Sequence, residues 1–256
     1  MNFFFGIKNS SISSTLNIPC FQNSNITKNK YSVFEFKINN NKWEITDLAD
    51  IKLVKDFFKI DSSFIKNENI FCIALKEEIL EFKKNNHLKL INLNNYTDTS
   101  PEFRANLQVS ILDGGFSSYQ SDYPFQMVAK KGSILSPLSI LCNRNADQNI
   151  IFLKNIYELP IHEKFSIFFV NLKTKKVLKK MEGITNFLNE IIVEKEFIHP
   201  EVFLYTDKFI GIPIFCSIKN NHISLEHSSP PHDEMMSSDK FKVIGNLKKE
   251  LNEIIS

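Results

Sequence analysis

Glycine and arginine are what this chain largely does without. It has only 7 glycines in 256 residues, and its only arginines are Arg104 and Arg144. The phosphate loops and nucleophile elbows built on closely spaced glycines are missing. Lys130-Lys131-Gly132-Ser133 lacks the earlier glycine of a Walker loop. No Gly-x-Ser-x-Gly appears either. The 4 cysteines, Cys20, Cys72, Cys142 and Cys216, lie far apart in the chain. That spacing excludes a zinc ribbon or a Cys-x-x-Cys redox pair and predicts free thiols in a reducing compartment. Cys142 and Cys216 fall in apolar runs, where a thiol is buried and inert.

No apolar run reaches the length of a membrane span. The opening Met1-Asn-Phe-Phe-Phe-Gly-Ile is too short, and lacks the basic start, for a signal peptide. The expectation is a soluble, cytoplasmic protein with no membrane partner. A net charge of +2 supplies no field for nucleic acid. The lysine-rich segment 173–180 has no arginine and no interleaved aromatics, so it reads as a solvated hairpin.

Phenylalanine is plentiful at 24, alongside many Asn, Ile and Lys, a skew that AT-rich coding produces. Hydrophobic residues at 43% and charged residues at 23% are ordinary for a globular chain large enough to bury a core. Residues 1–30 read as an N-terminal arm, with Phe3 to Phe5 as a short edge strand and the rest either loose or packed as an irregular cover on the core. Residues 31–100 read as a small mixed α+β part. Strand-like Val33 to Ile38 turns at Asn39-Asn40-Asn41 and pairs with Trp43 to Ile45. Leu48, Ile51, Val54 and Phe58 then recur at helical spacing behind a Thr46 or Asp47 cap. A buried strand at 70–75 and a short helix at 76–84 follow. The polar connector 94–101 marks the best boundary.

Residues 101–236 read as an antiparallel β domain. Leu107, Val109 and Ile111 point one way, and Asn106, Gln108 and Ser110 the other. Asp113-Gly114-Gly115 predicts a tight hairpin. Further strands are expected near 150–157, 165–172, 177–181, 190–196, 202–205, 210–218 and 222–227, with Pro213 marking an edge or bulge. A terminal helix over 237–256 presents Phe241, Ile244, Leu247, Leu251, Ile254 and Ile255 to a sheet. The fold class expected is mainly β: a sandwich-like antiparallel core, a small mixed N-terminal part and a C-terminal helix.

Two polar clusters carry the chemistry. In the first, Tyr119 and Tyr123 offer flat faces and hydroxyls, Gln120 hydrogen bonds, and Arg104 a fork for a carboxylate or phosphate. That set suits a polar small molecule or a glycan. In the second, His222 and Glu226 share one face of a strand, His227 falls on the other unless the strand bulges, and the Pro230-Pro231 turn can fold His232 back. Histidines with one carboxylate suit a divalent metal, zinc or iron, with Asp233 or Glu234 as a base. The order His222-x-x-x-Glu226-His227 resembles the cupin pattern loosely, departing from its His-x-His pair followed by Glu. His87, His162 and His199 lie among loop signals. The leading expectation is a ligand-binding accessory module, glycan-binding in particular. The alternatives are a metal-dependent, cupin-like enzyme at 222–234 and a homo-oligomer with a structural role.

Overall fold

The computed structural model describes residues 3–20, 30–84, 89–90, 105–123, 125–129, 131–227 and 240–256. Four antiparallel sheets dominate the described residues. Sheet I comprises β1 (Phe3–Phe4), β3 (Tyr31–Asn39), β4 (Lys42–Asp47), β7 (Ile70–Leu75) and β10 (Asp122–Tyr123), in the order β10-β1-β7-β3-β4. Sheet II comprises β2 (Ile12–Pro19), β5 (Leu53–Val54), β6 (Phe57–Ile60), β8 (Asn106–Ile111) and β9 (Phe116–Gln120), in the order β5-β6-β2-β8-β9. Sheet III is β15-β12-β17-β18, from β12 (Gln148–Lys154), β15 (Leu188–Ile192), β17 (Ile212–Lys219) and β18 (His222–His227). Sheet IV is β11-β16-β13-β14, from β11 (Leu135–Pro137), β13 (Lys164–Asn171), β14 (Lys176–Ile184) and β16 (Val202–Thr206).

Strand composition follows layer position. Sheets I and II bury Phe3, Phe36, Leu16, Phe58 and Leu107 in one core. Ile150, Phe152, Ile214 and Cys216 of sheet III join that core. Their neighbours Ile151, Leu153 and Phe215 point the other way, into a second core with Ile167, Phe169 and Leu204 of sheet IV. Sheet III is therefore covered on both faces, which is why β12 and β17 read as continuous apolar runs rather than as an alternation. The helix Lys240–Ile255 lays Leu247, Leu251, Ile254 and Ile255 on the far face of sheet IV, against Phe168, Val170 and Tyr205. The mainly β, sandwich-like class with one C-terminal helix holds.

Local chemistry explains the turns. Asn40 and Asn41, and again Asn220 and Asn221, take left-handed backbone angles between the strands of two-residue hairpins. The helix Lys76–Lys84 carries Glu77 and Glu78 in its first turn and Lys83 and Lys84 in its last, as the helix dipole favours. The Glu78 carboxylate also accepts the Leu75 N–H at 3.0 Å. Pro213 lies beyond the reach of β18, whose pairing with β17 begins at Ile214.

Three expectations are corrected. Residues 3–20, the described part of the expected arm, are packed into the fold: Phe3, Phe4 and Phe5 are buried, and β2 is an inner strand of sheet II. The helix expected after Asp47 is instead the β5–β6 hairpin, turned at Lys55 with φ 56°. Its apolar positions fit helical spacing, but Phe57 to Ile60 also alternate exposed and buried, and that period wins. Finally, β2 pairs with both β6 and β8, so one sheet joins segments on either side of the 100/101 boundary.

Candidate ligand-binding face

The expected ligand cluster begins on β9, so its surroundings in sheet II decide what it can do. β2, β8 and β9 are adjacent and contain no charged residue: Ile-Ser-Ser-Thr-Leu-Asn-Ile-Pro, Asn-Leu-Gln-Val-Ser-Ile and Phe-Ser-Ser-Tyr-Gln. Side chains directly opposite one another across a ladder share a face. The register therefore sorts the residues into two sets. Leu16, Leu107 and Tyr119 line up on the inner face, as do Ser14, Val109 and Ser117. Inner Ser14 is satisfied locally, because its Oγ accepts the Ile7 N–H at 2.8 Å.

The outer face is a grid. One row holds Ser13, Ser110 and Phe116; the next holds Thr15, Gln108 and Ser118; the third holds Asn17, Asn106 and Gln120. All of these side chains are half-buried or exposed. β6 extends the grid with Lys59 beside Asn17 and Phe57 beside Pro19. Eight neutral amides and hydroxyls thus stand on three neighbouring strands, where a solvated face would ordinarily carry lysine and glutamate. Each of these groups can both donate and accept hydrogen bonds.

The sequence-derived residues divide between this face and its back. Gln120 belongs to the grid. Tyr119 points inward and is half-buried, its ring against His227 of β18 at 4.5 Å between centroids. Burial, then the Glu226 carboxylate, push the Tyr119 phenol above its usual range. Tyr123 offers no face to a ligand. It is fully buried, its hydroxyl donates to the Ile210 carbonyl at 3.1 Å, and burial pushes its ionisation up strongly. Arg104 lies outside the described residues.

The expected metal set does not converge where it is described. His222 and Glu226 share the outward face of β18 but stand four residues apart, about 13 Å along the strand. His227 lies on the opposite, inward face, as strand alternation requires. His232 lies outside the described residues. Among the described residues no three His, Cys, Asp or Glu side chains are placed to hold a metal ion. All four cysteines are free and buried, and burial pushes the Cys142 and Cys216 thiols up to about 12. No helix among the described residues is long and apolar enough to cross a membrane.

The two clusters meet through the hairpin tips. The Gly115 N–H donates to the Asn221 carbonyl at 2.8 Å. A side chain at Gly115 would place its Cβ 3.2 Å from that oxygen, and one at Gly114 3.0 Å. Asp113, not a glycine, takes the left-handed angle of this turn, with φ 60°. The glycines are there for close approach between sheets.

Sequence reasoning missed Ser13, Thr15 and Asn17. The signal was only partial: Ile12, Leu16 and Ile18 recur on one face, but Ser14 interrupts the apolar alternation, and three polar residues in a row resemble a loop. Comparison with known proteins finds no matching family model, no matching curated protein and no matching solved structure.

Proposed function

We propose that this protein is a binding module that holds an uncharged, polyhydroxylated ligand, a glycan, against the outer face of sheet II. The observation that carries the reading is the charge-free grid on β2, β8 and β9 in a chain that is 23% charged. Sugar hydroxyls both donate and accept, as do serine, threonine, asparagine and glutamine side chains. Pairing neutral groups with neutral groups avoids stripping water from an ion, which is the large cost in polar recognition. A sheet also holds its side chains at fixed spacings, so little order is lost on binding.

The test is a glycan array followed by calorimetric titration of the full chain. Binding to neutral glycans that drops about fivefold in Gln108→Ala supports the reading, since one hydrogen bond to a neutral group contributes about 1 kcal/mol. An array silent for neutral glycans, or binding unchanged in Gln108→Ala and Thr15→Val, contradicts it.

A further inference from the structure

Two exposed phenylalanines mark opposite corners of the same grid. Phe116 is 67% exposed and stands in the first row, on β9. Phe57 is 43% exposed and stands beside Pro19, one row beyond the third, on β6. Val54, 65% exposed, pairs with Phe57 and makes that corner apolar. Strands lie about 4.8 Å apart, and same-face residues about 6.8 Å apart along a strand. Phe57 and Phe116 are therefore separated by roughly 14 Å across the sheet and 20 Å along it, about 25 Å on the diagonal. The ground between them holds amides and hydroxyls from β2, β8 and β9.

Resting on the reading of this face as a glycan site, we propose that its ligand is an extended neutral oligosaccharide lying diagonally across the strands, with one sugar ring on Phe116 and another on Phe57. An aromatic ring covered by a sugar's C–H face buries apolar area that hydrogen bonding alone does not use. A single sugar reaches one platform. A chain of several units reaches both and hydrogen-bonds to the polar rows between. The face provides no cationic cluster for sulfate or uronate, since Lys59 at its margin is the one charge in the β2, β6, β8 and β9 rows.

The experiment is calorimetry on the full chain with cello-, malto- and chito-oligosaccharides of two to eight units. Affinity in the binding series should rise with length and then level off. Phe116→Ala and Phe57→Ala should each weaken the longest ligand about tenfold. The disaccharide should respond to one substitution at most. Both side chains are exposed, so circular dichroism should show both variants folded like the parent. Affinity independent of length, or long ligands indifferent to either substitution, overturns the diagonal track and leaves the binding face standing. No binding by any series overturns both.

Discussion

Tyr119 and His227 meet edge to face, their ring planes at 76°. One comes from the last strand of sheet II and the other from the last strand of sheet III. Together with the Gly115–Asn221 hydrogen bond at the hairpin tips, the contact ties two sheet margins that share no ladder among the described strands. Edge-to-face ring pairs contribute about 0.5–1.5 kcal/mol beyond simple burial. A double-mutant cycle of Tyr119→Leu and His227→Leu, followed by urea unfolding, should return a coupling of that size. Tyr119→Phe keeps the ring and should leave the coupling intact. Additive single effects would mean that the rings only sit side by side.

Lys154 sets a second expectation. Its side chain is 1% exposed, and its ammonium donates to the carbonyls of Asn67 at 2.8 Å and Asn69 at 3.2 Å. Asn69 in turn donates to the buried Glu35 carboxylate at 2.6 Å, and Lys37 pairs with that carboxylate. Burial lowers the Lys154 pKa to about 7 from 10.5, partly opposed by Glu68. Below pH 7 the lysine is charged whether folded or not, and the full burial cost is present. Between pH 7 and 10.5 the folded form has released a proton that the unfolded chain still holds, so stability rises with pH. The gain across that window is on the order of 5 kcal/mol. Denaturant midpoints of wild type and Lys154→Met from pH 6 to 10 should diverge, with the rise confined to wild type. Parallel curves would show that Lys154 is not the titrating group.

Two glycines should respond in opposite directions. A Cβ at Gly211 would lie 2.7 Å from the Lys154 carbonyl oxygen and 2.9 Å from Leu153 Cδ1, and a backbone oxygen in a central sheet cannot step aside. Gly211→Ala should cost about 1–3 kcal/mol. Gly245 is exposed within the C-terminal helix and meets nothing within 4 Å. Gly245→Ala should stabilise by about 0.5–1 kcal/mol. Thermal melts of the pair check both signs.

The docking of the C-terminal helix is testable at Leu251 and Tyr205. Leu251 is 0% exposed against sheet IV, so Leu251→Ala should cost about 2–4 kcal/mol. Tyr205 donates to Asn252 Oδ1 at 2.8 Å, and Tyr205→Phe should cost about 1 kcal/mol. Hydrogen exchange over 240–256 should speed up in both. Unchanged exchange would mean that the helix holds without this contact.

The second half of the chain was legible because its strands are long, apolar and punctuated by asparagine or lysine turns, as at Asn220-Asn221 and Lys175. The N-terminal third was harder. Its strands alternate Ile and Leu with Ser, Thr and Asn, the residues that also make loops, and β2 finds its neighbours in distant segments. Local richness in hydroxyls singles out both Gln120, which stands on the outer face, and Tyr123, which is buried. Nothing local says that Tyr123 pairs with Phe3 and is sealed in. The outer grid could not be read at all without the register that sets Thr15 beside Gln108 and Ser118.

The most direct measurement is a map of backbone amide shifts as a neutral oligosaccharide is titrated into isotopically labelled protein. The account predicts shifts concentrated at Ser13, Thr15, Asn17, Asn106, Gln108, Ser110, Ser118 and Gln120. Shifts gathered instead along His222 to His227, or no saturable shifts with any neutral sugar, would contradict it.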